Sequence, residues 1–332
     1  MTFTTMTRRA MIAAALATTA LATGGLADAA QARELRMGLI TPPAHVWTQV
    51  ANRMAEKLPE ATGGSLTLAV FPAGQLGVEP EMFQQMSGGL LDAGLMTAAI
   101  TSLRAPSLQG WFTPYLFADV SDAIDAADTP AAQEMLKELE QAGLVGLGYT
   151  FAGQRHILMK DAPATSPADL AQKKVRIVPF PAMKTWWEAV GAVPTPVQLT
   201  EVYQGLQTGL LDGIDIDLDA LVGSKFNEVA KGLTITNHMP FPAVLVVSRT
   251  TWDSLSEEER TAFNEVAQEA LAWGSDRQIE AEKANLAALE GQVEMVTMDN
   301  GKEAFAAANE AVQASFAGND LIMRFQQEAQ AE

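Results

Sequence analysis

The chain has 332 residues, of which 22 are basic and 40 are acidic, so its formal net charge at pH 7 is −18. So acidic a protein repels the phosphates of nucleic acid and of anionic membranes, and the lack of cysteine excludes disulfides, thiolate nucleophiles and cysteine metal sites. Hydrophobic residues make up 48% of the chain, which is enough for one large or two medium domains with a core.

The first 32 residues have the features of an export signal. Arg8 and Arg9 precede an apolar stretch, 10–27, and Ala30-Gln31-Ala32 supplies the small-x-small pattern of a cleavage site. The apolar stretch is short and broken by two glycines, which favours a cleaved signal over a membrane anchor. We predict a mature protein that begins at Arg33 and is exported to the periplasm without stable membrane insertion. The arginine pair leaves general and twin-arginine export open.

Apolar runs then alternate with stretches of helical spacing. The first half of the mature chain predicts strands and helices in the order strand 35–40, helix 46–58, strand 66–71, helix 80–86, strand 90–96, helices 121–127 and 131–141, and strand 144–149. The second half predicts strand 175–178, a helix through 186–190, a helix from 200, strand 243–248 and one long helix, 256–289. This alternation predicts an α/β fold with mostly parallel sheets, and the long helix could brace two domains.

Sequence motifs of the common enzyme classes are missing. The chain has no Gly-x-Ser-x-Gly, no Walker loop, no His-Glu-x-x-His and no dinucleotide-binding glycine fingerprint. Its three histidines are not spaced as metal ligands. We therefore expect no enzyme activity, no cofactor and no metal.

Three aspartates alternate at 215, 217 and 219, superficially like a calcium loop. That loop needs glycine directly after the third acid and glutamate six residues beyond it, where this chain has Ala220 and Lys225. The simpler interpretation is a strand end that runs into a helix N-terminus, where carboxylates cap free N–H groups. An exported hydrolase that uses the aspartates as acid and base is an alternative, but Asp215 and Asp217 are too close in sequence to flank a sugar.

Two arginines occur in or beside apolar strands. Arg176 lies inside the run 175–178, and Arg155 follows a predicted strand. A buried guanidinium needs an anionic or hydrogen-bonding partner, which could be an internal salt bridge or the carboxylate of a ligand. The residues alone do not decide between them. The neighbouring Trp186 and Trp187 point about 100° apart on a helix. One of them could therefore form the floor of a ligand site, although core packing is the better interpretation.

Six short motifs follow one another along nearly all of the mature chain. They are 71–77 (FPAGQLG), 153–155 (GQR), 174–177 (KVRI), 191–196 (GAVPTP), 201–213 (EVYQGLQTGLLDG) and 236–238 (TNH). In this order and spacing the chain resembles the periplasmic solute-binding subunits of tripartite ATP-independent periplasmic (TRAP) transporters.

The resemblance implies a two-lobed periplasmic binding protein with hinge strands and a long lobe-spanning helix. Lobe I is expected to be 33–153 plus about 242–282, and lobe II 154–241 plus about 283–332. Such a protein binds a small organic acid between its lobes and delivers it to TRAP membrane subunits. In the family, the arginine of the Lys-x-Arg strand pairs with the ligand carboxylate, and the arginine after Gly-x often assists. These are Arg176 and Arg155 here.

The chain also departs from the family pattern near the expected ligand. Ile216 stands where an asparagine often assists the carboxylate, and Phe241 replaces a more polar residue. These changes favour a smaller or more apolar anion, a sulfonate, or a zwitterion whose cationic end meets Asp215 or Asp217. The candidate ligand-binding residues are Glu79, Arg155, Arg176, Trp186, Asp215, Ile216, Asp217 and Phe241.

Two further functions stay open on sequence alone. A sensory binding protein without transport would have the same residues. The binding protein of an ATP-driven transporter would have a similar fold, but the motif QTGLLDG at 207–213 speaks against it.

Overall fold

Two β-sheets that share one long strand form the frame of the molecule, whose computed structural model describes residues 32–331. The predicted export signal, except its last residue, therefore lies outside the described residues. The ten strands of this range are β1 (Arg33–Gly38), β2 (Leu66–Phe71), β3 (Ala93–Thr97), β4 (Leu144–Met159), β5 (Lys174–Ile177), β6 (Val193–Pro196), β7 (Gly213–Asp217), β8 (Gly232–Ile235), β9 (Pro240–Ser248) and β10 (Glu294–Thr297).

Thirteen α-helices lie between and after these strands in the described range. They are α1 (Val46–Ala61), α2 (Glu79–Ser87), α3 (Ala98–Thr101), α4 (Val120–Asp125), α5 (Pro130–Lys137), α6 (Pro181–Val190), α7 (Val202–Thr208), α8 (Leu218–Gly223), α9 (Arg249–Ser254), α10 (Glu257–Leu289), α11 (Gly301–Ala304), α12 (Ala306–Ser315) and α13 (Asp320–Glu328). None of these helices is both long and apolar enough to cross a membrane.

The sheets are mixed, which corrects the prediction of mostly parallel sheets. In the first sheet, β1 pairs parallel with β2 and β3, but β9 pairs antiparallel with β3 and β4. In the second sheet, β5 pairs parallel with β6 and β7, and β10 with β8, while β4 pairs antiparallel with β7 and β8. The antiparallel pairs arise because the chain crosses between the sheets on β4 and returns on β9, whereas parallel neighbours need a helical crossover.

Strand β4 bends where it passes from one sheet to the other. Its pairing with β9 shifts register between Phe151 and Gln154, and Gly153 between them has φ +94°. Side chains rarely adopt this backbone conformation, so glycine is suited to the position. The sequence predicted only 144–149 as strand. The bend and its glycine obscured the continuation of the strand to Met159.

Helix α10 spans both sheets, as predicted. Its N-terminus carries a capping box between Ser256 and Glu259, and three glutamates in the first turn interact favourably with the positive end of the helix dipole. The helix packs against α1 and β4 and, towards its C-terminal end, against α8 beside the second sheet. It is 33 residues long, so it links the two halves of the molecule as one rigid element.

The C-terminal helices pack against different sheets. Helix α12 packs on α6, beside the second sheet, whereas α13 packs on α5 and on the segment 106–112, beside the first. The ring of Phe325 in α13 lies 4.6 Å from that of Trp111. The lobe boundaries stay a prediction, and this packing favours moving 320–328 from lobe II to lobe I.

Candidate functional site

A small cavity lies between the two sheets, with a volume of about 30 Å³ for a water-sized sphere. It is bounded by the N-terminal ends of α1, α2 and α3 on one side and by β5, β7 and the segment 198–199 on the other. Six of the eight predicted ligand-binding residues line it: Glu79, Arg155, Arg176, Ile216, Asp217 and Phe241.

Arg176 presents a buried positive charge to the cavity. Arg176 is only 3% exposed, and its Nε donates a hydrogen bond to the main-chain oxygen of Val197 at 2.8 Å. Among the described residues, neither Nη atom has a hydrogen-bond or ion-pair partner. Burial, and the nearby charge of Arg155, lower the pKa of Arg176 to about 10, so it stays protonated at neutral pH. The cavity therefore holds a buried cation that forms no direct ion pair with a carboxylate of residues 32–331.

Arg155 is engaged by the protein itself. It donates from Nε and Nη2 to the side chain and main-chain oxygen of Asp215, and from Nη1 to Asp217 Oδ2 at 2.9 Å. Its guanidinium lies 4.2 Å from the centre of the Phe241 ring. Strand pairing explains this arrangement, because Arg155 is opposite Asp217 and the two aspartates share one face of β7. Of the two alternatives for a buried arginine, Arg155 forms the internal salt bridge.

Asp215 is the centre of a buried polar network. Its Oδ2 accepts a hydrogen bond from Trp187 Nε1 at 2.8 Å and lies 3.0 Å from His238 Nε2. Burial alone raises the pKa of a carboxyl group, but the charges of Arg155 and His238 outweigh it and lower the pKa of Asp215. This network holds the ion pair between Arg155 and Asp215 in position behind the cavity lining.

Asp215 and Trp186 do not line the cavity. Asp215 is fully buried beneath Arg155, and the indole of Trp186 stacks on His238 at 4.7 Å between ring centres. The prediction of core packing therefore describes Trp186. Sequence reasoning placed these two among the ligand-binding residues because the pairing of Asp215 with Arg155 and the stacking of Trp186 on His238 are visible only in the tertiary structure.

His45 and two aspartates connect the two sides of the cavity. His45 Nδ1 lies 3.4 Å from Asp219 Oδ2, and His45 Nε2 lies 3.8 Å from Asp217 Oδ1. Burial lowers the pKa of His45, but the charges of Asp219 and Asp217 outweigh it and raise the pKa above its usual value. Sequence reasoning missed His45. The alternating aspartates at 215, 217 and 219 were the available sign in the sequence that several charged groups lie close together at this position.

Asp217 caps α8, as the simpler interpretation of the aspartates predicted. Its Oδ1 accepts a hydrogen bond from the N–H of Ala220 at 2.7 Å. This carboxylate therefore joins Arg155, the helix end and His45.

A second, larger cavity of about 670 Å³ lies elsewhere, lined in part by Tyr115, Asn237 and Met298. Its lining includes one basic residue, Lys302, against the carboxylates of Asp122, Asp125 and Asp299. None of the predicted ligand-binding residues lines it. An anion is better held by the small cavity, where the arginines are.

The fold and this site define a two-lobed solute-binding protein. The chain belongs to the family of bacterial extracellular solute-binding proteins, family 7 (DctP), whose family model matches residues 37–319. The resemblance to TRAP solute-binding subunits is confirmed.

Individual relatives agree with this membership. The chain is 31% identical over 239 residues to the 2,3-diketo-L-gulonate-binding periplasmic protein YiaO of Escherichia coli K12, covering 72% of this chain and 73% of YiaO. A TRAP periplasmic solute-binding protein from Bradyrhizobium sp. BTAi1, solved with α/β-D-galacturonate, is 32% identical with a TM-score of 0.84, covering 89% of this chain and 100% of that one. Another from Polaromonas sp. JS666, bound to D-erythronate, is 28% identical with a TM-score of 0.83, covering 88% and 98%.

Proposed function

We propose that the protein is a periplasmic receptor that binds a small organic carboxylate between its lobes and delivers it to the membrane subunits of a TRAP transporter. The observation that carries the proposal is the buried guanidinium of Arg176, which lines the cavity without an anionic partner among the described residues. A buried charge is costly unless it is paired, so a ligand carboxylate is the natural partner. The proposal includes no catalytic step.

Lobe closure explains how such a ligand would be held. The cavity is formed by helix ends beside the first sheet and by strands of the second, so a ligand in it contacts both lobes. It therefore favours the closed state by its differential affinity for the two states. Exclusion of water on closure strengthens the pairing between Arg176 and the carboxylate.

The relatives support a carboxylate. The solved structures named above bind D-galacturonate and D-erythronate, both of which carry one carboxylate group. A zwitterion whose cationic end pairs with Asp215 or Asp217 is less favoured than it was from sequence, because both carboxylates already form ion pairs with Arg155. A sulfonate could use the same guanidinium and stays the second candidate.

Thermal-shift screening of the mature protein against carboxylates, sulfonates and zwitterions tests the proposal. A ligand that binds only the folded state raises the melting temperature by mass action. We expect carboxylates to raise the melting temperature of wild type but not that of Arg176→Ala. The control is Arg249→Ala, which removes an arginine whose side chain is about one-third exposed, and its melting temperature should rise as in wild type. An equal response of Arg176→Ala would contradict the proposal. Uptake of the identified acid by vesicles that hold the membrane subunits would then separate transport from a sensory role.

A further inference from the structure

A titratable side chain, that of His45, lies in the contact between the two sides of the cavity. His45 is the N-cap of α1, beside the first sheet, and is 1% exposed. Its ring contacts Asp219, in the first turn of α8, and Asp217, at the end of β7, both beside the second sheet. Asp217 is also paired with Arg155, whereas Asp219 has no other ion-pair partner among the described residues. Protonated His45 is therefore the one cation in direct contact with Asp219 in this range.

The hydrogen bonds of His45 give its two protonation states different contacts. In neutral His45, Nδ1 accepts a hydrogen bond from the N–H of Trp47 at 3.1 Å, so the proton is on Nε2. Nδ1 then presents a lone pair to Asp219 Oδ2, 3.4 Å away, and two acceptors that face each other repel. Protonation turns Nδ1 into a donor and places a positive charge beside the carboxylate. The contact with Asp219 therefore changes from repulsive to attractive when His45 takes up a proton.

Other charged groups surround this contact. Three of them line the same cavity: Glu79 of α2, Arg155 of β4 and Arg176 of β5. Glu282 belongs to α10, which packs against α1, and its charge interacts with that of Asp217. Burial lowers the pKa of His45, but the charges of Asp219 and Asp217 outweigh it and raise this pKa above 6.5. Burial also raises the pKa of Glu79 and of Glu282 to about 7, so a test has to separate these three groups.

We propose that His45 is a proton-dependent latch between the lobes, which favours the closed state when His45 is protonated and paired with Asp219 and Asp217. This inference rests on the lobe closure of the proposed function. When the lobes separate, the ring moves from the carboxylates into water, where its pKa returns to about 6.5. Closure therefore takes up a proton, and the population of the closed state falls as the pH rises above about 6.5.

The distance between two spin labels measures this equilibrium without a ligand. Because the chain has no cysteine, Leu90→Cys and Leu210→Cys provide two unique labelling sites. Leu90, 75% exposed, follows α2 beside the first sheet, and Leu210, 54% exposed, follows α7 beside the second. Pulsed electron paramagnetic resonance gives the distance distribution at about pH 5.5 and about pH 8.5, in buffers that keep their pH on freezing. We expect the ratio of closed to open molecules to be about tenfold larger at the lower pH.

Two variants assign the pH dependence to the latch. His45→Asn keeps a side-chain oxygen that can accept from the N–H of Trp47 but cannot be protonated, so its ratio should not change with pH. Asp219→Asn keeps an acceptor for the N–H of Val46 but loses the charge, so its pH dependence should be smaller than that of wild type. Circular dichroism spectra like that of wild type show that the variants are folded.

Glu79→Gln and Glu282→Gln test the other two groups that titrate in this range. Both should keep a pH-dependent ratio of closed to open molecules. Loss of the pH dependence in either of them, together with its retention in His45→Asn, would overturn the latch. A ratio that does not change with pH in wild type would also overturn it.

The proposed function is tested separately, because the distance measurement contains no ligand. Failure of carboxylates to raise the melting temperature in the thermal-shift screen would overturn the carboxylate receptor and leave the latch standing. A wild-type ratio independent of pH, with carboxylate binding that is lost in Arg176→Ala, would overturn the latch and leave the receptor standing.

Discussion

The carboxylate of Asp219 accepts a hydrogen bond from the N–H of Val46, 2.7 Å away, although the two residues are 173 positions apart in the chain. Val46 is the first residue of α1, beside the first sheet, and Asp219 lies in the first turn of α8, beside the second. The contact therefore joins the two lobes at the edge of the cavity. A carboxylate at a helix N-terminus satisfies a free N–H group and interacts favourably with the helix dipole.

Asp219→Ala should weaken ligand binding without removing a residue of the cavity lining. The variant loses a contact between an element beside the first sheet and one beside the second. We therefore expect the closed state to become less stable relative to the open state, so that more of the ligand's binding free energy is used for closure. We expect the dissociation constant of the bound acid to rise about tenfold, as for the loss of a helix-capping carboxylate. Calorimetric titration measures this change.

Asp169→Ala is the matched control for this prediction. Asp169 also caps a turn in the second half of the chain, but its contacts are with Thr165 and Ser166. The Asp169→Ala variant should bind the acid with the same dissociation constant as wild type. A lower melting temperature of Asp219→Ala with an unchanged dissociation constant would show that the contact is structural and does not govern closure.

The two cavity arginines should differ in their effects on stability. Arg155→Met leaves Asp215 and Asp217 buried without their cation, and breaking a buried pair in this way costs about 3–5 kcal/mol. Arg176→Met removes a buried cation that has no ion-pair partner in the described part of the chain, so the free energy of unfolding should stay the same or rise. Urea denaturation of the unliganded proteins measures both. Equal destabilisation by the two substitutions would contradict the distinction.

Glu282 should make stability fall as the pH rises from about 4.5 to about 7. It lies in α10, where its Oε1 accepts a hydrogen bond from the N–H of Gln154 at 3.3 Å, and burial raises its pKa from 4.5 to about 7. Between these values the unfolded chain releases the proton and the folded protein keeps it, so stability is lost as the pH rises. The full effect is up to about 3 kcal/mol.

Glu282→Gln checks this pH dependence. Its melting temperature should approach or exceed that of wild type progressively from pH 4.5 to 7, with a constant difference above that range. The aspartates with lowered pKa, Asp215 and Asp217, act in the opposite direction and only at more acidic pH. A difference between variant and wild type that does not change with pH would show that Glu282 titrates normally.

Ile216→Asn should shift ligand preference towards polyhydroxylated acids. Ile216 lines the cavity and is 1% exposed, so an amide there would need a polar partner. D-galacturonate can supply hydroxyl groups, whereas 3-methylbutyrate cannot. We expect the ratio of the two affinities to change about tenfold in favour of the sugar acid, measured by calorimetric titration. Ile216→Val is the control, and an unchanged ratio in Ile216→Asn would contradict an apolar selection at this position.

Much of the fold was predictable because its elements carry local signals. The strand 66–71 was predicted with its observed bounds, and the long helix was predicted within one residue of its start at Glu257. The short strands β6, β8 and β10 were missed, since four residues give too little periodicity to recognise. Strand direction was misjudged because β4 and β9 pair across long sequence separations that no local pattern records.

The candidate site was predictable as a set of residues but not as a set of roles. Both arginines were identified from their apolar surroundings and from the family motifs. Only tertiary structure shows that Asp215 and Asp217 pair with Arg155, while Arg176 has no such partner among residues 32–331. The same holds for His45 and Asp219, which meet where the N-termini of α1 and α8 come together. Sequence patterns indicate which charges are buried, and pairing across sheets decides which of them is available to a ligand.

The most direct test of the role of Arg176 is a crystal structure of the protein with the tightest-binding carboxylate from the screen. We predict that the lobes are closed and that both Nη atoms of Arg176 donate to the ligand carboxylate at about 2.9 Å, while Arg155 keeps its contacts with Asp215 and Asp217. A carboxylate bound away from Arg176, with the guanidinium paired to a protein carboxylate, would contradict the proposed receptor mechanism.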